Sequence, residues 1–205
     1  MNPTLSKAAI KLKRRARKKT PALWLMSDET RLRDPGAAVA ALPRGSAVIL
    51  RHYGADNRRD LAMRLAALCR QRGLILMIAG DWRLAARVGA AGLHLGEQAA
   101  RRGLSPGARL WRRRGRLLLT VAAHSEEGAR RARALDASAI MLSPVFVTAS
   151  HPERRPLKHT RLAAIARNTA VPVIALGGIT AANVARLSQS GCAGIAGIGF
   201  AIPKI

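Results

Sequence analysis

The stretch LILMIAGDWRLAARVGAAGLHLG, residues 74–96, carries the pattern that decides the fold. An apolar run at 74–78 meets a small turn, Ala79-Gly80-Asp81. A short helical pattern follows, and a second apolar run, GLHL at 92–95, leads into Gly96. Apolar runs that do not alternate with polar residues suit strands covered on both faces, as in a parallel sheet. The segment therefore reads as strand, helix, strand, with Asp81 capping the helix that starts at Trp82.

The same signal repeats outward from this segment. Short apolar runs recur at 22–26, 47–50, 74–78, 92–95, 117–122, 139–142, 171–175 and 194–198. Helical patterns lie between most of them. Residues 57–72 place Leu61, Leu65 and Leu68 at helical spacing and stop at Gly73. Residues 125–135 open with Ser125 and Glu126-Glu127, a favourable first turn, and stretches at 160–168 and 181–190 follow. Eight strand–helix units predict an α/β chain folded as a (β/α)8 barrel, with a doubly wound open sheet as the alternative. Only FAIPKI, 200–205, follows the eighth strand, so the closing C-terminal helix is absent or truncated. The N-terminal segment or a second copy of the chain, as in a homodimer, then has to cover the gap. The expected organisation is a basic N-terminal extension at 1–20 and a barrel at 21–205.

Composition bounds the partners. A chain of 205 residues at 49% hydrophobic content is long enough for one sizeable core. No apolar run approaches the roughly 20 residues of a membrane-spanning helix. No signal-peptide pattern is visible either, so a cytoplasmic location and no membrane partner are expected. Cys69 and Cys192 lack metal-ligand spacing and read as buried free thiols of a reducing compartment. The net charge is +25, and arginine supplies 29 of the 36 basic residues. The first twenty residues hold eight Lys or Arg and no acid, and the remainder is still basic at +17. Such a field attracts phosphorylated ligands, nucleic acid or anionic surfaces. With aromatic residues at only 3% there are few rings on which bases could stack, so nucleic acid is not an expected partner.

In barrels of this kind chemistry gathers at the C-terminal ends of the strands. The segment VPVIALGGIT, 171–180, ends its strand in Gly177-Gly178, with Thr180 placed to cap a following helix. Paired glycines let backbone N–H groups approach an anion, and a helix N-terminus favours negative charge. The eighth strand ends in GIGF, and loops after strands seven and eight commonly hold phosphate. Tight turns are the plain alternative role for these glycines. Other strand ends offer Ser27-Asp28-Glu29, Arg51-His52-Tyr53, Gly96-Glu97-Gln98, His124, and the loop from Ser143 to His151. Arg51 can hold a second anionic group, and His124 suits general acid–base work. Asp28 and Glu97 are two scattered carboxylates, and no metal site is expected from them.

GLHLGE (92–97), VAAHS (121–125), LSPVFVTAS (142–150) and VPVIALGGIT (171–180), in this order and spacing, resemble the thiamine-phosphate synthase/TenI family across nearly all of 21–202. The resemblance implies a (β/α)8 barrel that holds a thiazole phosphate with Thr148, Ser150, Gly177, Gly178 and the turn at Ile198-Gly199. For synthase members it implies ionisation of a pyrimidine diphosphate, with Mg2+ and basic side chains stabilising the departing diphosphate and the thiazole nitrogen capturing the cation. The chain departs from that pattern at several places. The family's Gln-x-Arg-Glu-Lys reads Ile49-Leu50-Arg51-His52-Tyr53, and its Asn-Asp after strand three reads Ala79-Gly80. The acid after the HLG motif falls at Ala99, beside Glu97 and Gln98. The lysine of the sixth-strand loop falls at His151, and the serine before AHS is Ala122. TenI-type members instead aromatise a thiazole carboxylate phosphate without metal, moving protons with the histidine of the HS motif. The expectation is a TenI-like or divergent enzyme acting on a phosphorylated thiazole or related small phosphate. Its catalytic candidates are His124 and His151, Arg51 faces an anionic group, no cofactor is needed, and the metal and diphosphate site is degraded. An active synthase using Mg2+ is the alternative, and a non-catalytic phosphate-binding protein the second alternative.

Overall fold

The structure, a computed structural model, describes residues 2–16, 20–115, 117–148 and 155–198. Eight parallel strands form a closed barrel in chain order. They are β1 (Leu23–Met26), β2 (Ala47–Leu50), β3 (Ile75–Ala79), β4 (Gly92–Leu95), β5 (Leu118–Ala123), β6 (Ala139–Leu142), β7 (Val173–Leu176) and β8 (Gly194–Gly197). β8 pairs back onto β1 with Leu23 opposite Ile195, which closes the ring and excludes an open sheet. The helices are α1 (Pro3–Ala16), α2 (Gly36–Ala40), α3 (Arg58–Arg72), α4 (Trp82–Val88), α5 (Glu97–Arg102), α6 (Pro106–Gly115), α7 (Glu126–Ala134) and α8 (His159–Arg167).

Alternation along each strand sorts the apolar residues into two buried layers. Trp24, Met26, Ala47, Ile49, Met77, Ala79, Met141, Ile174 and Ala196 pack together inside the barrel. Their neighbours Leu23, Leu25, Val48, Leu50, Leu76, Ile78, Leu93 and Leu95 pack outward under the helices. This two-sided burial is why the strands read as continuous apolar runs. Helix starts follow their caps: Leu84 N–H donates to Asp81 Oδ1 at 2.9 Å, and Gly128 N–H to Ser125 Oγ at 3.1 Å. Gly92 and Gly194 open β4 and β8 where the neighbouring backbone comes very close. A Cβ would lie 2.0 Å from the Leu118 carbonyl oxygen at Gly92, and 2.4 Å from that of Ala22 at Gly194.

The stretch after β7 differs from expectation. Residues 181–190 form no α-helix, only a 3-10 turn over Val184–Leu187. The side chain of Asn183 explains the difference, because it accepts from Thr180 N–H at 2.9 Å and donates to the Gly178 carbonyl at 2.8 Å. A short amide side chain that bonds its own backbone competes with helix formation. Thr180 therefore caps no helix, and no helix dipole stands behind Gly177-Gly178.

The basic helix α1 packs beside this thin side of the barrel, against β8, β1 and the 3-10 turn. Leu5, Ala9 and Leu12 are buried in the outer core, and Arg15 Nη1 donates to the Ser188 carbonyl at 2.7 Å. The charges of α1 face outward from an apolar stripe, so the basic N-terminal segment is a packed element that covers the side of the barrel next to β8, the first of the two covers expected for it. FAIPKI lies outside the described residues. We predict that Leu12→Ala costs about 2–4 kcal/mol in denaturant unfolding, as for other buried leucines. Lys11→Ala, on the exposed face, changes stability by less than about 0.5 kcal/mol.

Candidate active site

The inward alternation of the barrel continues past the strand ends and aims a second set of side chains into the mouth. Arg51 lies two residues beyond Ile49, His124 two beyond Ala122, and Ile198 two beyond Ala196. With Met26, Tyr53, His94, Gly96, Glu97, Ser143, Thr148 and Gly177 they line a cavity of about 200 Å3 at the C-terminal end of the strands.

On the β1–β2 side Arg51 is held firmly. Its N–H donates to Ser27 Oγ at 2.9 Å, its Nε to the Ser27 carbonyl at 2.8 Å, and its Nη2 to Asp28 Oδ2 at 2.8 Å. Ser27 Oγ is also 2.9 Å from His52 Nδ1, both groups being buried. Burial works to raise the Asp28 carboxyl. Bonds from the Thr30 hydroxyl, the Arg31 and Thr30 amides and the charge of Arg51 outweigh it, bringing the pKa down to about 2. Burial lowers the Arg51 pKa, opposed by Asp28. Arg51 is thus a permanent cation in a fixed position at the rim.

Deeper in the mouth, His94 bonds Thr120 Oγ1 through Nδ1 at 2.9 Å. Both residues point into the barrel from adjacent strands and are buried. Burial, with Arg51 adding to it, holds His94 at about 3. The ring is a neutral polar floor to the cavity.

Among the described residues, His124 and Glu97 form a pair suited to moving a proton. His124 Nδ1 is 2.8 Å from the Ser143 carbonyl and 3.1 Å from Ser143 Oγ. A carbonyl only accepts, so Nδ1 carries the hydrogen and the lone pair of the neutral ring is on Nε2. That nitrogen faces Glu97 Oε2 at 3.7 Å. Nε2 can take a proton from a bound ligand while the carboxylate stabilises the imidazolium. The two residues follow β4 and β5, which are paired neighbours, and that adjacency is the sequence signal that would have coupled them.

On the β6–β7 side the turn is clamped. Val145 and Phe146 N–H groups donate to the Leu176 and Gly177 carbonyls at 3.0 and 3.1 Å. Gly178 has φ +65° and packs under the loop, where a Cβ would meet the Val147 carbonyl oxygen at 2.1 Å. Gly177, Thr148 and Ile198 face the cavity, whereas Gly178 does not line it. Ser150, His151 and Gly199 lie outside the described residues. Tyr53, His94 and Asn183 were given no role in the expected site: Tyr53 stands where the family pattern has a lysine, His94 lies inside GLHLGE, and Asn183 belongs to none of the quoted motifs.

The carboxylates do not fit a divalent cation. Among the described residues no three His, Cys, Asp or Glu side chains gather in a metal-binding group. Asp28 is engaged by Arg51, Thr30 and Arg31, Glu97 faces His124, and position 80 is glycine.

A closed parallel barrel with a fixed cation, an acid–base pair and a glycine turn at its mouth is an enzyme scaffold for small anionic ligands. The chain matches the family described as thiamine monophosphate synthase over residues 24–200, and it belongs to that family. It is 37% identical to thiamine-phosphate synthase of Bordetella pertussis over 169 residues, 76% of this chain and 75% of that one. It is 36% identical over 138 residues to putative thiamine-phosphate synthase 2 of Aquifex aeolicus, covering 67% and 72%. The solved thiamine phosphate pyrophosphorylase of Pyrococcus furiosus shares the fold at TM-score 0.70 and 22% identity, over 93% of this chain and 87% of that one. No helix among the described residues is long and apolar enough to cross a membrane.

His94 yields a pH prediction. The fold keeps the ring neutral to about 3, whereas the unfolded chain takes up a proton below its ordinary 6.5. Stability attached to this group is therefore full above pH 6.5 and falls as the pH drops toward 3. By pH 5 the wild type loses about 2 kcal/mol relative to His94→Gln, at about 1.4 kcal/mol per unit, measured by denaturant midpoints across the range.

Proposed function

We propose that the chain is an enzyme of thiamine biosynthesis that holds a thiazole phosphate in the mouth cavity, with the phosphate toward Thr148 and the Gly177 turn. The family match over residues 24–200, with relatives named thiamine-phosphate synthase, carries the leading reading. That reading is the synthase reaction, in which the thiazole nitrogen bonds to the methylene carbon of the pyrimidine as diphosphate departs. The part of this chain that supports it is Arg51, a permanent cation locked by three hydrogen bonds where negative charge would develop. No step is assigned to a metal, because the carboxylates here do not fit one.

A second reading rests on a different observation, the His124–Glu97 pair. With the lone pair of the neutral ring on Nε2 and a carboxylate beside it, the pair suits removal and return of a proton on a thiazole carboxylate phosphate, the tautomerase reaction of TenI-type members. A non-catalytic protein that binds a small phosphate ligand, or regulates through it, is the remaining reading. All three fit a protein working on small phosphates in the cytoplasm.

Purified protein given hydroxymethylpyrimidine diphosphate and thiazole phosphate, with diphosphate release followed, separates them. Turnover is expected, and Arg51→Gln lowers kcat/KM by about 100-fold, the effect of removing one charge-stabilising donor. Absence of coupling, together with aromatisation of the thiazole carboxylate that is lost in His124→Gln, would replace the synthase reading with the tautomerase one. Failure of both reactions, with thiazole phosphate still raising the melting temperature, would leave binding alone.

A further inference from the structure

The end of β3 carries an arrangement that none of the expected site residues explains. Arg58, the first residue of α3, reaches across and donates from Nη2 to the Ala79 carbonyl at 2.5 Å. Its guanidinium carbon lies 5.5 Å from the centre of the Tyr53 ring. Its Nε is buried without a hydrogen-bond partner. The Tyr53 ring lines the mouth cavity and covers Gly80, where a Cβ would lie 3.3 Å from the ring. Gly80 itself has φ +72°, a conformation in which a side chain is strained.

These contacts decide against a divalent cation at this corner more firmly than the missing carboxylate alone. An acid at position 80 would have to adopt the left-handed backbone and displace the Tyr53 ring. A fixed guanidinium already sits on the adjoining carbonyl and would repel an incoming cation. Arg51 lines the same cavity as the tyrosine, and both arginines pull against the rise that burial imposes on the Tyr53 phenol. One permanent cation thus lies against the ring and a second lines the same cavity rim. Tyr53 is 56% exposed, and Arg58 lies against its ring with a buried Nε–H that has no acceptor.

We propose that Arg58, together with Arg51, forms a metal-free subsite for a diphosphate or similar dianionic group, with Tyr53 as the movable cover over it. The guanidinium supplies the positive charge that a carboxylate-bound metal would otherwise bring. Displacement of the exposed ring offers the unpaired Nε–H to an anion oxygen, so anion binding satisfies a donor that the ligand-free fold leaves unpaired. This deepens the synthase reading, which needs a place for diphosphate, and rests on it only for the identity of the ligand.

Titration calorimetry with inorganic diphosphate at physiological salt tests the subsite. The wild type is expected to bind equally with Mg2+ and with EDTA. Arg58→Gln weakens binding by about tenfold or more, the effect of losing a charged donor, and Arg58→Lys recovers part of it. Arg114→Gln, on an exposed part of α6, leaves binding unchanged, which separates the subsite from the general field of a +25 chain. Diphosphate affinity in Arg58→Gln equal to wild type would overturn the proposal, as would a tenfold gain of wild-type affinity on adding Mg2+. Should Arg58→Gln lose its far-ultraviolet circular dichroism, the Arg58→Lys and Mg2+/EDTA comparisons decide in the same way. Thiazole phosphate is titrated in parallel. Its binding to wild type and Arg58→Gln alike, when diphosphate fails to bind, removes the subsite and leaves the thiazole-phosphate site standing.

Discussion

The ladder between β8 and β1 is the interaction on which the rest of the structure depends. Once Leu23 stands opposite Ile195, every strand has two neighbours, and the side-chain alternation acquires an inside and an outside. Without closure, Arg51, His94, His124 and Ile198 would be four residues spread along a sheet. With closure they meet over one cavity. The polar contacts then follow from neighbouring strands: His94 with Thr120 across β4 and β5, and His124 with the Ser143 carbonyl across β5 and β6.

The fold was legible because its strands advertise two-sided burial. All eight apolar runs became strands, three with the expected bounds and five with an end shifted by one or two residues, and the caps at Asp81 and Ser125 formed as their side chains allow. The stretch at 181–190 was misread because helical composition says nothing about Asn183, whose amide ties Gly178 to Thr180. The role of α1 was half legible. Its charge stood out, whereas the stripe of Leu5, Ala9 and Leu12 shows its purpose only against the side of the barrel next to β8.

Within the site, legibility ended where residues act in pairs. Arg51 and His124 could be singled out one at a time from their places at strand ends. That Asp28 locks Arg51, and that Glu97 faces His124, depends on which loops the ring brings side by side. The same holds for Tyr53, Arg58 and Gly80. In sequence they are a lost lysine, an ordinary helix residue and a lost acid. In space the ring of one fills the room a side chain on another would need, and the third's guanidinium stacks on it. Changes that look like separate losses along the chain form one repacked corner.

Gly92 and Gly194 carry a last consequence. They open β4 and β8, strands that stand four places apart in a ring of eight, on opposite sides of its axis. Each lets its strand press against the chain entering the next one at a distance governed by backbone atoms alone. One steric solution thus recurs at half-turn intervals, and the ring divides into two four-strand arcs, β1–β4 and β5–β8, each finishing on the same kind of tight seam.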